Sequence, residues 1–246
     1  MVIALYNSVL KVSSEVTEAK KNLKALNLFP HHDPYKSWDT YKMIEIIKEA
    51  DKNSCILDIG CKDSPILAML KKLGFNNLYG CDLLLKPRYN HYLMNIAYSF
   101  YRREYKPILD MYGDNEFKLS VQNLQETSYQ NSVFDYITSL SVIEHGIDIG
   151  KYFMEMSRIL KNGGLLLTST DYWPDKINNT KRVWSKDTPD NIFDRDEIDN
   201  LIKVGEKYGF RLIEPIDYTC GDKLVHWKDI ALSYTFIFFA LRKKQL

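Results

Sequence analysis

Two acidic residues each close a short apolar run, and both are placed to meet a polar ligand. Cys55-Ile56-Leu57-Asp58-Ile59-Gly60 reads as a buried parallel strand that turns towards a helix. Gly60 allows a tight turn and a close approach of ligand to backbone. Such a turn is expected to aim its N–H groups at that ligand. Asp58, at the carboxyl end of the strand, suits the ammonium group of an amino-acid-like ligand. Asn77-Leu78-Tyr79-Gly80-Cys81-Asp82 reads as a second strand, whose terminal Asp82 is placed to accept both hydroxyls of a ribose. A dinucleotide fingerprint needs three glycines to admit a pyrophosphate. Here Gly60 stands with Cys61, Lys62 and Ser64, which favours an adenosyl ligand without phosphates.

Further along, several side chains are candidates for proton transfer or acceptor binding. His145 follows the apolar run Phe134 to Val142, and Asp171 follows Leu165 to Ser169. An imidazole titrates near neutral pH and suits a general base; bracing of the following helix is the competing role. Asp171 is a second candidate base, or a residue that orients the acceptor. Tyr172 and Trp173 beside it are candidate acceptor contacts. Arg88 and Arg102, in a Tyr-rich stretch, could hold a phosphate or carboxylate by paired hydrogen bonds. His31-His32-Asp33 reads as an exposed loop that reaches the site only if the N-terminal segment closes over it. None of the four cysteines forms a CxxC pair, so no metal site is expected.

The elements that must position these residues alternate. Apolar residues at helical spacing predict helices near the N-terminus (Val16, Ala19, Leu23, Leu26), over 39–50, 66–73 and 147–160, and from Asp194 to Gly209. Asp194 and Glu197 form a capping box for the last of these. Short apolar strands fall at 55–60, 77–82, 117–121, 134–142, 165–169, 210–216 and 233–241. The pattern predicts an α/β fold: a three-layer α-β-α sandwich around a mostly parallel, seven-stranded Rossmann-like sheet with an antiparallel edge strand. Residues 1–51 read as an N-terminal helical lid segment. Residues 52–246 read as the main domain, with cap inserts at 84–115 and 172–193, both longer than ordinary connections.

Composition narrows the class. The 246 residues include 33 basic and 32 acidic side chains, a net charge of +1, with 45% apolar residues. A dedicated nucleic-acid binder usually carries a basic excess, so nucleic acid is not the expected partner. The apolar run 234–241 is too short to span a bilayer as a helix. The N-terminus makes a poor signal peptide, and unpaired cysteines fit a cytoplasmic protein.

Five segments in register resemble the class I, Rossmann-like S-adenosylmethionine-dependent methyltransferases. They are Ile56 to Cys61, Tyr79 to Asp82, Asn123 to Asp135, Ser139 to His145, and Arg158 to Gly164. The departures are Cys61 for the second glycine, Asn123 for the usual acid, and Thr127-Ser128 for the common Leu-Pro. The resemblance implies S-adenosylmethionine (SAM) as cofactor. It implies that Asp58, Gly60 and Cys61 face its methionine moiety. Asp82 would take the ribose and Leu83 pack on the adenine, which Asn123 and Leu124 would border. Ser139 and Ser141 would lie beside the sulfonium, and Lys36 to Asp39, including Trp38, would fold over the methionine end. A weaker similarity of Pro34 to Asp39 and Thr170 to Trp173 to methyltransferases of polysaccharide and nucleotide-sugar pathways implies carbohydrate biosynthesis. The expected reaction is methyl transfer to a small-molecule or glycan acceptor, at oxygen, by a monomer or homodimer. An RNA or protein methyltransferase, a non-catalytic SAM-binding module and a NAD oxidoreductase are the alternatives. Amine-methylating nucleic-acid enzymes often carry an Asn/Asp-Pro-Pro-aromatic run where this chain has Ser139-Leu140-Ser141-Val142.

Overall fold

A computed structural model describes residues 7–85, 117–181, 189–227 and 231–245. Its elements run β1 (Ser8–Val9), α1 (Ser13–Ala25), α2 (Ser37–Ile47), β2 (Cys55–Ile59), α3 (Ile66–Lys72), β3 (Asn77–Cys81), β4 (Lys118–Ser120), β5 (Phe134–Leu140), α4 (Ile149–Ile159), β6 (Leu160–Tyr172), α5 (Arg195–Lys207), β7 (Phe210–Leu212), β8 (Val225–Trp227) and β9 (Leu232–Lys243). Five strands are parallel, in the order β6-β5-β2-β3-β4, and β9 joins β6 antiparallel. The mixed α/β class and the mostly parallel sheet are as expected.

Two details differ. Among the described residues the sheet has nine strands, and the antiparallel strand is not at its edge. β9 is flanked by β6 on one side and by β1 and β7 on the other, with β8 pairing near its start. Ser8 and Val9 are too short a run to announce themselves as a strand; they are held by pairing with Phe238 and Ile237. The turn expected at 161–164 is instead part of β6, which begins at Leu160 opposite Phe134. Gly164 makes this possible: a Cβ there would sit 2.9 Å from the Asp135 carbonyl oxygen and from Leu160.

The sheet separates two apolar layers. The front layer packs Val16 and Leu23 of α1, Met43 and Ile47 of α2, and Ile66 and Leu70 of α3 against alternate strand residues such as Ile56, Leu140 and Leu167. The rear layer packs Tyr152 and Met156 of α4 and Ile198 and Leu201 of α5 against Leu57, Ile137 and Leu166. This alternation decides which strand-tip side chains can share a site, because successive residues point to opposite faces. Residues 7–51, expected to be a lid, supply β1 to the sheet and two helices to the front layer. The expected capping box starts α5: Asp194 accepts from the Glu197 N–H at 2.8 Å, and Glu197 from the Asp194 N–H at 2.9 Å. Among the described residues no helix is long and apolar enough to cross a membrane.

Candidate functional site

The five parallel strands end on one edge, and the ends of β2 and β3 meet there. After β2 the chain turns through Gly60, at φ +66°. A Cβ on Gly60 would lie 2.5 Å from a Val142 methyl, so both conformation and space demand glycine. The turn closes on its neighbour: the N–H groups of Gly60 and Cys61 both donate to the Cys81 carbonyl, at 2.8 and 3.2 Å. The expectation that they face a ligand is therefore corrected. The Lys62 N–H donates instead to Asp82 at 3.2 Å, and the Leu84 N–H donates to the other Asp82 oxygen at 2.7 Å. Cys61 explains its own departure from the family pattern. Its Sγ fills the notch left by Gly80, where a Cβ would come within 2.8 Å of it. Its thiol is thus a buried packing group rather than a contact to the methionine moiety, and burial pushes it well above its usual pKa.

Asp58 is fully buried on the front face. Thr138, its register partner on β5, donates to Asp58 Oδ1 at 2.6 Å. Oδ2 has no hydrogen bond of good geometry, although the Ser64 hydroxyl lies close enough to the carboxyl to act on it. Burial raises the carboxyl to about 7, against the opposing pull of the Thr138 and Ser64 hydroxyls. A buried carboxylate oxygen left without a partner is costly, and an incoming ammonium group removes that cost. Asp82 is also raised, first by burial. Leu83 and Leu84 next to it are 37% and 39% exposed, an apolar surface at the strand tip that suits a flat ring. Leu124 lies half-buried against the rear layer. Asn123 Oδ1 accepts from the Gln125 N–H at 3.0 Å, which holds the 123–126 turn.

The tips of β5 and β6 are more crowded. Ser141, with φ +52°, accepts a hydrogen bond from Lys36 Nζ, and the same ammonium lies 4.5 Å from the Phe236 ring centre. Asp39 accepts from Ser169 at 2.6 Å and from the Thr40 N–H at 2.8 Å, pinning α2 to β6. Burial lifts Asp39 to about 6, with Lys36 opposing. Asp171 is 7% exposed. Burial, then repulsion from Glu144, pushes it well above the usual carboxylate range, while Lys36 and the Tyr234 hydroxyl pull the other way. Glu144 accepts from the Thr170 hydroxyl at 2.9 Å. His145 Nδ1 sits 2.8 Å from the buried Asp190 carboxylate, and the Asn191 N–H donates to the Glu144 carbonyl at 2.8 Å.

Several sequence expectations change here. Ser139 and Tyr172 both turn into the rear layer, opposite Asp58 and Asp171. Ser139 lies near Tyr152 of α4, and Tyr172 is wholly buried near Tyr218. Side-chain roles at the sulfonium and the acceptor are therefore withdrawn from these two. Trp38 is 4% exposed within the front core, under the Lys42 ammonium at 4.7 Å; its neighbours Lys36 and Asp39 reach the strand tips instead. His31 is buried rather than exposed. Its Nδ1 accepts from the Asp33 N–H at 2.9 Å, and burial lowers its pKa to about 4. Trp173 stays near the tips, half-buried, with Lys223 4.6 Å from its ring centre. Arg88 and Arg102, with most of the 84–115 insert, lie outside the described residues. Lys36, Tyr234 and Asp190 were not singled out for these roles by spacing, because each partner is distant in the chain. No cluster of three or more His, Cys, Asp or Glu that could hold a metal occurs among the described residues.

Comparisons with known proteins bear on the family and the fold. Residues 35–214 match the model of a family described as a methyltransferase domain. A curated relative, "Ubiquinone biosynthesis O-methyltransferase, mitochondrial" of Dictyostelium discoideum, is 26% identical over 163 residues, which are 66% of this chain. The matched region spans about half of that relative's length, 46%. Among solved structures, a SAM-dependent methyltransferase from Methanosarcina mazei has a TM-score of 0.53 at 15% identity, covering 82% of this chain and 98% of its own. The geranyl diphosphate C-methyltransferase of Streptomyces coelicolor, solved with Mg2+, geranyl diphosphate and S-adenosylhomocysteine, has a TM-score of 0.54 at 16% identity. It covers 89% of this chain and 86% of its own. At these identities the structural likeness speaks to the fold.

Proposed function

This chain belongs to the methyltransferase-domain family, and from that premise we propose that it is a SAM-dependent enzyme that methylates a hydroxyl oxygen of a small-molecule or glycan acceptor, such as a nucleotide sugar. The cofactor supplies a methyl group on a sulfonium: the C–S bond breaks as the C–O bond forms, and sulfur keeps the electron pair. The chain's own task is to hold both partners in line and remove the hydroxyl proton.

Asp58 Oδ2 takes the cofactor's ammonium, and Lys36, at the tip of β5, takes its carboxylate. Asp82 takes the ribose hydroxyls, with Leu83, Asn123 and Leu124 around the adenine. Only one of Lys36's three N–H donors is engaged in a described hydrogen bond, that to Ser141. On the acceptor side, Asp171 and Tyr234 hold the acceptor hydroxyl, Trp173 borders it, and His145 receives the proton. The observation that carries the oxygen reading is this concentration of a buried carboxyl, a tyrosine hydroxyl and a carboxylate-bound imidazole at the tips of β5 and β6. The name of the curated relative, an O-methyltransferase, supports it. The four free cysteines support a reducing compartment such as the cytoplasm.

The test is transfer of a radiolabelled methyl group from SAM to UDP-glucose, UDP-galactose, GDP-mannose and dTDP-glucose, beside simple phenols and amines. Label in a sugar or phenol oxygen supports the reading. Label confined to amines, or to added RNA or protein, replaces it.

A further inference from the structure

The 172–193 connection carries a residue that no sequence motif marks. Asp190 is 3% exposed, and its carboxylate lies 2.8 Å from His145 Nδ1. The surrounding backbone fixes it. The Asp190 N–H donates to the Lys181 carbonyl at 3.1 Å, and Asn179 Nδ2 donates to the Asp190 carbonyl at 2.9 Å. The next residue, Asn191, donates to the Glu144 carbonyl, so the loop is stitched to the residue preceding His145. Phe193 in turn exchanges backbone hydrogen bonds with β6: its N–H donates to the Asp171 carbonyl, and its carbonyl accepts from the Trp173 N–H, both at 3.0 Å. The loop is therefore anchored on both sides of the acceptor-facing tips.

We infer that Asp190 is a positioning residue for methyl transfer: it holds His145 with Nδ1 protonated and its other ring nitrogen, Nε2, as the proton acceptor for the substrate hydroxyl. The inference rests on the proposed role of His145. The chemistry follows from the imidazole. A neutral ring carries one N–H and one lone pair, and a carboxylate at Nδ1 selects the tautomer with its lone pair on Nε2. When the acceptor hydroxyl loses its proton, the proton moves to Nε2. The resulting imidazolium then faces the negative charge of Asp190 at hydrogen-bond distance. Burial of Asp190 strengthens that pairing, because little water screens it.

The experiment uses full-length protein with S-adenosylhomocysteine bound and 15N-labelled histidine, for parent, Asp190→Asn, Asp190→Glu and His145→Gln. The His145→Gln spectrum identifies the His145 signals by their disappearance. Methyl transfer to the four nucleotide sugars named above is measured in parallel. The expected result has three parts. The parent shows the Nδ1–H tautomer with a strongly hydrogen-bonded proton, and Asp190→Asn loses it. Asp190→Asn lowers kcat on the order of 100-fold, with the acceptor KM and the cofactor Kd nearly unchanged, and Asp190→Glu restores part of the rate. The double variant His145→Gln/Asp190→Asn is no slower than His145→Gln alone, since residues acting as a unit are not additive. An unchanged tautomer in Asp190→Asn, or equal further loss in the His145→Gln background, overturns the inference. If the parent binds S-adenosylhomocysteine but methylates none of the sugars, the acceptor class falls; the tautomer then decides the Asp190 inference by itself. Asp190→Glu keeps the test open should Asp190→Asn fold poorly.

Discussion

The two halves of the site are built on opposite electrostatic plans. At the tips of β2 and β3 the carboxylates are few, Lys62 lies beside Asp63 and Asp82, and the buried Asp58 keeps an oxygen with no hydrogen-bond partner among the described residues. At the tips of β5 and β6 the charges crowd: Asp39, Glu144, Asp171 and Asp190 each meet a hydroxyl, an ammonium, an imidazole or a backbone N–H of the chain itself. On the proposed function the first half is completed from outside, by a ligand that brings positive charge. The second is completed from within, and its work is to aim groups rather than to wait for a counterion. Cofactor affinity should therefore depend on single residues of the first half. Turnover should depend on cooperating residues of the second.

The largest blow to that contrast is expected from Asp58→Asn. It should weaken SAM and S-adenosylhomocysteine alike by roughly 100-fold, or about 3 kcal/mol, the order expected on losing one partner of a buried charge pair. Calorimetry decides it, and equal affinity in the variant would move the cofactor site elsewhere. Next is Asp171→Asn. A drop in kcat/KM of about 10-fold to 100-fold is expected, the scale of one strong hydrogen bond to a charged group, with cofactor Kd unchanged. A cofactor defect of the same size would erase the division into halves.

Gly60→Ala should cost about 2 kcal/mol of stability, because a side chain there is strained at positive φ and meets Val142. The melting temperature measures it.

The pH dependence sharpens the first half. In the ligand-free fold Asp58 titrates at about 7 and Asp39 at about 6, both above their unfolded values. The folded state therefore holds protons that the unfolded chain has already lost. Their contribution to stability is present at low pH and is lost as pH rises through 6 to 7. A cofactor ammonium favours the ionised Asp58. S-adenosylhomocysteine should thus bind more weakly at pH 6 than at pH 8, and raise the melting temperature less; Asp58→Asn should flatten that difference. The smallest effect belongs to Ser139→Ala. Its hydroxyl makes no hydrogen bond of good geometry in the rear layer, though it lies near Tyr152, so removal should be nearly neutral and leave cofactor affinity within a factor of about two.

Legibility in the sequence divides along the same line. Asp58, Gly60 and Asp82 lie in two contiguous strand-turn units, so local spacing is enough to find those units, while Leu83 enters through the family resemblance. The strands of the parallel core were readable for the same reason, as short apolar runs closed by an acid or a glycine. The second half draws on segments far apart in the chain. Lys36 meets Ser141 across 105 residues, Asp39 meets Ser169 across 130, and His145 meets Asp190 across 45. No local period carries such pairings. Face assignment was the other weak point. The family resemblance puts Ser139 at the site and adjacency to Asp171 puts Tyr172 there, but a strand sends neighbouring side chains to opposite layers. Cys61 reads in the sequence as a departure from the family pattern and as a methionine contact, because the notch at Gly80 that receives its thiol belongs to another strand.

The short pairing of Ser8 and Val9 with β9 has a consequence for how the protein is made. Asn7 accepts from the Ala240 N–H across 233 residues, and Leu10 accepts from the Thr235 hydroxyl across 225. Residues 7–10 pair with β9 and with the 214–217 segment, so their partners lie 207 or more residues further along the chain. Loop closure over that span is slow, and the exposed strand edge is vulnerable meanwhile.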